Sequence, residues 1–113
     1  MLRVLVLSLP FVFFMGLACH GGDVGNDSDL VGGSCRDSRD CVERCVEGGD
    51  FPGGTCTVEC RDDRDCPAGT WCVSKAGGVC LLECYVDEDC RGGYECKNTD
   101  REGTGGRIEV CIQ

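Results

Sequence analysis

Thirteen cysteines are the residues in this chain with most chemistry open to them. A cysteine can pair, ligate a metal, act as a redox thiol or accept a lipid. Eight of them lie in an acidic phrase that recurs: "CRDSRDC" from Cys35 to Cys41, "CRDDRDCPAGTWC" from Cys60 to Cys72 and "CYVDEDCRGGYEC" from Cys84 to Cys96. The five-residue gap inside each phrase is wrong for the C-x2-4-C knuckles of structural zinc sites. Redox catalysis would need C-x-x-C, which is missing. Disulfide pairing remains, and an exported chain makes it the default. The carboxylates of Asp62, Asp63 and Asp65, and of Asp87, Glu88 and Asp89, present a second kind of chemistry. They could offer oxygens to Ca²⁺, although Arg61 and Arg64 interleaved among the acids favour a solvated turn held by surface ion pairs.

Catalysis has little to draw on. His20 is the lone histidine, four serines follow residue 18 without a base beside them, and the carboxylates sit on short loops. The chain reads as no enzyme and implies no cofactor and no metal. All twenty acidic residues but only ten of the eleven basic ones follow Cys19, giving that part a formal charge of −10. A phosphate backbone demands clustered Lys and Arg, so nucleic acid is excluded as a partner. Trp71, next to Cys72, is expected to pack on the disulfides. Phe51 and Pro52 in "EGGDFPGGT" stand at the tip of a glycine-flanked loop between Cys45 and Cys56, where an exposed aromatic would be a contact residue. The other reading of that loop folds it back onto the core.

The elements that must position these residues begin with residues 1–18, "MLRVLVLSLPFVFFMGLA", one basic residue followed by an apolar run too short to span a bilayer. This is a secretory signal. Residues 19–34 are rich in Gly, Asp and Ser without a period of 2 or 3.6, the pattern of a flexible tether. Residues 35–113 form the cysteine-rich domain, divided into units 35–56, 60–80 and 84–111. The second unit is Cys60, Cys66, Cys72 and Cys80, and the third is Cys84, Cys90, Cys96 and Cys111. Their first three cysteines repeat at an offset of 24 residues. The first unit, Cys35, Cys41, Cys45 and Cys56, keeps only the opening gap. Short strands are expected at "TWCV", "GVCLLE", "YECK" and "RIEVCIQ", whereas "DSRDCVERCVEGG" predicts a short helix capped by Asp37 or Ser38 and stopped at Gly48. The fold class is therefore small and disulfide-rich: three tandem four-cysteine units with short β-hairpins and little regular secondary structure. With so few large apolar side chains, crosslinks must supply much of the stability.

Two sets of residues resemble known families. "MGLAC" resembles the lipobox of bacterial lipoproteins, with Ala18 before the cut and Gly16 in place of the usual larger aliphatic. The resemblance implies lipidation of Cys19, which also accounts for the odd cysteine. It makes the membrane a partner through that lipid. His20 stands where aspartate implies inner-membrane retention, so the implied location is the cell envelope, at the outer membrane or cell surface. "CRDDRDCPAGTWCVSKAGGVCLLEC" resembles both the whey-acidic-protein four-disulfide core and the N-terminal cysteine-rich region of Dickkopf proteins, over about 25 residues. The adjacent cysteine pair and the front half of the whey-acidic core have no counterpart. Both families pair the first cysteine of the phrase with the third. The resemblance thus implies Cys60–Cys72, Cys66–Cys80, Cys84–Cys96 and Cys90–Cys111, with Cys35–Cys45 and Cys41–Cys56 by extension. The whey-acidic core would instead join Cys66 to Cys84. The function expected is a lipid-anchored, non-catalytic surface module that binds an unknown protein or ligand, with protease inhibition as the alternative.

Overall fold

The computed structural model describes residues 23–103 and 105–113. The expected signal and the expected lipidation site, Cys19, lie outside them. Three two-stranded antiparallel sheets follow one another along the chain. They are β1 (Arg44–Gly48) with β2 (Phe51–Thr57), β3 (Thr70–Val73) with β4 (Val79–Leu82), and β5 (Glu95–Asp100) with β6 (Arg107–Ile112). No α-helix occurs among the described residues. A single 3₁₀ turn precedes each hairpin, at Ser38–Asp40, Asp63–Asp65 and Asp87–Asp89.

Strand register explains how the cysteines are used. Cys45 lies opposite Cys56, Cys72 opposite Cys80 and Cys96 opposite Cys111. Residues directly opposite in an antiparallel pair project from the same face, so each hairpin offers two sulfurs on one side. Neither sulfur takes the other. The pairs are Cys35–Cys45, Cys41–Cys56, Cys60–Cys72, Cys66–Cys80, Cys84–Cys96 and Cys90–Cys111. Both ends of each 3₁₀ turn are thus clamped to the face of its hairpin, and no bridge joins Cys66 to Cys84.

Because side chains alternate along a strand, the neighbours of the cysteines face the opposite way. Val46, Val73, Val79, Leu81, Val110 and Ile112 form one buried cluster with Phe51, and Trp71 and Ile108 pack against it. All three hairpins contribute to this cluster. Trp71 is therefore on the apolar side rather than on the disulfides, with the Arg101 guanidinium 4.8 Å from its ring centroid. Further links run between segments: Glu59 bridges to Val79, Glu83 to Val110 and Arg101 to Val73. The Arg91 guanidinium donates to the Thr55 hydroxyl (2.9 Å) and to the Gly54 carbonyl, while the Tyr94 hydroxyl donates to the Pro52 carbonyl (2.9 Å), joining the third segment to the first.

Two sequence expectations change. The helix expected after Asp37 stops after Asp40, and Arg44–Gly48 is a strand. Disulfides from Cys41 and Cys45 to different partners pull the chain off a helical path. The segment read as a tether is also part of the fold from residue 23 onward. Val31 is fully buried, packed with Cys60, Cys72 and Cys80. The Gly32 N–H donates to the Cys56 carbonyl (2.9 Å) and the Cys56 N–H to the Gly33 carbonyl (2.8 Å). A Cβ on Gly32 would stand 2.3 Å from the Gly25 carbonyl oxygen, and its φ is +115°, so glycine is needed there.

Candidate interaction surface

The acidic phrases are built into the turns. Asp40, Asp65 and Asp89 each accept the N–H of the residue after the phrase's first cysteine: Arg36 at 2.8 Å, Arg61 at 2.9 Å and Tyr85 at 2.8 Å. Two positions earlier, Ser38, Asp63 and Asp87 accept the N–H of Cys45, Cys72 and Cys96 at 3.2, 3.0 and 2.8 Å. These bonds tie the turn to the strand that its disulfide also reaches. Asp37 and Asp62 cap the first two turns, each accepting a backbone N–H at 2.8 Å, from Arg39 and Arg64, and pairing with the same arginine's guanidinium at 3.0 Å. The acidic side chains therefore hold curvature, as Asp does in turns generally.

Protonation should loosen these turns. The Arg39 and Arg64 side chains, then their backbone N–H groups, hold Asp37 and Asp62 below the ordinary value of 3.8. The N–H groups of Tyr85 and Val86 do the same for Asp89. A carboxylate with a depressed folded pKa contributes stability that is present above its unfolded value and lost as pH falls through the folded one. Amide signals of Arg39, Arg64 and Tyr85 should hold still from neutral pH down to about 5 and then shift below about 4, the carboxylate range. Proton–nitrogen correlation spectra across that range check this, and signals unchanged to about pH 2 would contradict the capping role.

The sulfurs of Cys60, Cys66 and Cys72 lie within 4.8 Å of one another, as do those of Cys35, Cys41 and Cys45 and those of Cys84, Cys90 and Cys111. Every one is in a disulfide. Without a thiolate they are stacked crosslinks rather than metal ligands. A small pocket beside Arg91 and Tyr94, lined also by Asn26, Thr55 and Leu81, has room for about one water.

Phe51, expected as an exposed contact, is 5% exposed within the shared apolar cluster. Its partner Pro52 is half-buried, with its carbonyl taken by Tyr94. The loop folds back because β2 begins at Phe51, opposite Gly48. Among the described residues, the exposed large apolar side chains are instead Val42, Tyr85 and Val86. The last two are neighbours in the chain at the third turn, and Tyr85 lines a shallow groove with Glu83, Cys84, Asn98, Arg107, Ile108 and Glu109. The Tyr85 hydroxyl stands 3.4 Å from a Glu83 carboxylate oxygen.

No protein-family model, curated protein or solved structure matches this chain. The surface itself must then indicate what it can do. Aligning the three phrases would have exposed Tyr85 and Val86 in the sequence, since Arg-Asp stands at both earlier equivalents. Their aromatic and aliphatic character alone could not, because a tyrosine next to a cysteine is as readily a core residue.

Proposed function

We propose that this protein is an exported, lipid-anchored, non-catalytic module of the cell envelope that binds a protein or other ligand, built as three tandem four-cysteine units. The observation that carries this reading is the complete pairing of Cys35 through Cys111 in six disulfides, which leaves Cys19 of the thirteen cysteines for the lipid. The carboxylates of Asp40, Asp65 and Asp89 are engaged by the chain's own N–H groups, and those of Asp37 and Asp62 by N–H groups and arginine side chains, which supports a structural use for them. A protease-inhibitor role has less support, since the Cys45–Cys56 loop that would enter a cleft is a hairpin with Phe51 turned inward.

Metabolic palmitate labelling tests the anchor. Label is expected on the wild-type protein and not on Cys19→Ala, which lacks the sulfur that accepts the diacyl group. Label retained by the variant would defeat the lipoprotein reading. Affinity capture from envelope extracts, with the detergent-solubilised mature protein as bait, tests the binding role; recovery of no partner above a matrix control would reject it.

A further inference from the structure

The third turn departs from the other two at three positions where those two carry the same residues. Where Arg36-Asp37 and Arg61-Asp62 stand in the first two, it has Tyr85-Val86, and where they carry Arg39 and Arg64 it carries Glu88. The backbone anchor is kept, because Asp89 still accepts from Tyr85 and Val86 at 2.8 and 3.2 Å. Val86, at the position where Asp37 and Asp62 cap, provides no side-chain cap. Giving up an aspartate N-cap lowers stability, and setting an aromatic ring and an isopropyl group in water adds none. Yet Tyr85 is 80% exposed and Val86 52%. The change makes sense as a contact surface.

The chemistry beside it indicates what would touch it. Tyr85 and Ile108 furnish apolar walls to the groove, and Glu83 and Glu109 furnish carboxylates. Arg107 also lines the groove, and its own guanidinium donates to the Asn98 carbonyl at 3.2 Å and lies 3.7 Å from Asp100, so its charge is partly met within the chain. We propose that this face binds a cationic segment of another protein, with a lysine or arginine stem lying along Tyr85 and Ile108, its charge toward Glu83 and Glu109, and an adjoining apolar side chain on Val86. A long basic side chain is suited to such a site because its methylenes cover apolar surface while its head stays polar, and the tyrosine face adds a cation–π attraction. A second copy of this chain is the poorer occupant. The net charge of −9 sets copies against each other, and the exposed Arg39 and Arg64 are already paired with Asp37 and Asp62.

The inference rests on the interaction-module reading and adds the partner's chemistry. The test is a nuclear magnetic resonance titration of the full chain, expressed through an exporting host and purified oxidised, with a capped Leu-Arg-Leu-Lys peptide and its charge-reversed Leu-Glu-Leu-Glu counterpart. Saturable shifts centred on Tyr85, Val86 and Ile108 are expected with the cationic peptide only. The double variant Tyr85→Arg, Val86→Asp copies the second turn. It should fold with an unchanged or raised thermal midpoint and bind at least about tenfold more weakly, the loss of both the apolar and the electrostatic complement. Absent shifts, shifts elsewhere, equal shifts with the reversed peptide, or binding unaffected by the variant would overturn the inference. So would a concentration-dependent rise in molecular mass, which would assign the face to self-association, or a lowered midpoint in the variant, which would make the two side chains structural. The module reading fails on a different result, the recovery of no partner by the wild-type bait.

Discussion

Reduction of the six disulfides is expected to unfold the protein at 25 °C, with loss of dispersed amide signals and of strand signature in circular dichroism. The pairs close sequence separations of 10 to 21 residues. In the chain-entropy model a loop of that size contributes about 3 kcal/mol. Domains of this size are stable by only about 5–15 kcal/mol in total, so a few lost bridges suffice. The apolar side cannot compensate, for its buried cluster is seven side chains drawn from three hairpins. Reduction also frees both ends of each 3₁₀ turn, and the hydrogen bonds that Asp63 and Asp87 accept from the N–H groups of Cys72 and Cys96 must then join turn to strand without the crosslinks. A reduced chain that kept dispersed amides without added metal would show that packing alone suffices, and would overturn the account of the fold.

Val31→Asp is expected to be the most damaging single substitution ahead of Cys35, lowering stability by about 3–5 kcal/mol, the range for an uncompensated buried charge. Val31 is fully buried against the sulfurs of Cys60, Cys72 and Cys80, where no cation offers itself among its packing partners. Val31→Ala should cost less, about 1–2 kcal/mol, the burial of two methyl groups. Chemical denaturation of the oxidised protein measures both, with Asp27→Ala on the exposed loop as a control expected to change little. Equal midpoints for Val31→Asp and wild type would mean that residues 23–34 are not docked in solution.

What was legible in the sequence was mostly what cysteine spacing controls. The strands around Cys72, Cys80, Cys96 and Cys111 fall where alternating side chains and glycine-bearing loops put them. Residues 44–48 did not, because "VERCVE" has helix-forming residues and cysteines four apart, and the disulfides that override this preference are non-local. The burial of Val31 is not visible in the sequence for a related reason. An isolated aliphatic residue among Gly, Asp and Ser has no periodicity, and its burial depends on sulfurs that lie 29 or more positions further along the chain. For Phe51 the flanking glycines leave an exposed tip and a folded-back loop both open, and the register, which starts a strand there, selects the second. Tyr85 and Val86 were legible only by comparison among the three phrases.

The connectivity has a consequence for how such a chain is made. Each native pair skips one cysteine: Cys35 passes over Cys41, Cys66 over Cys72, Cys90 over Cys96. A chain threaded across a membrane from its N-terminus delivers cysteines one after another, so an oxidase acting in order of arrival would join Cys35 to Cys41 and Cys60 to Cys66. Such first products are non-native in every segment, and correcting them takes thiolate attack on a formed bond and exchange through mixed disulfides. On the export proposed above, maturation would then depend on how long free thiols persist after translocation. A compartment with an isomerase, and not merely an oxidant, would let such a chain reach its final pairing at a useful rate.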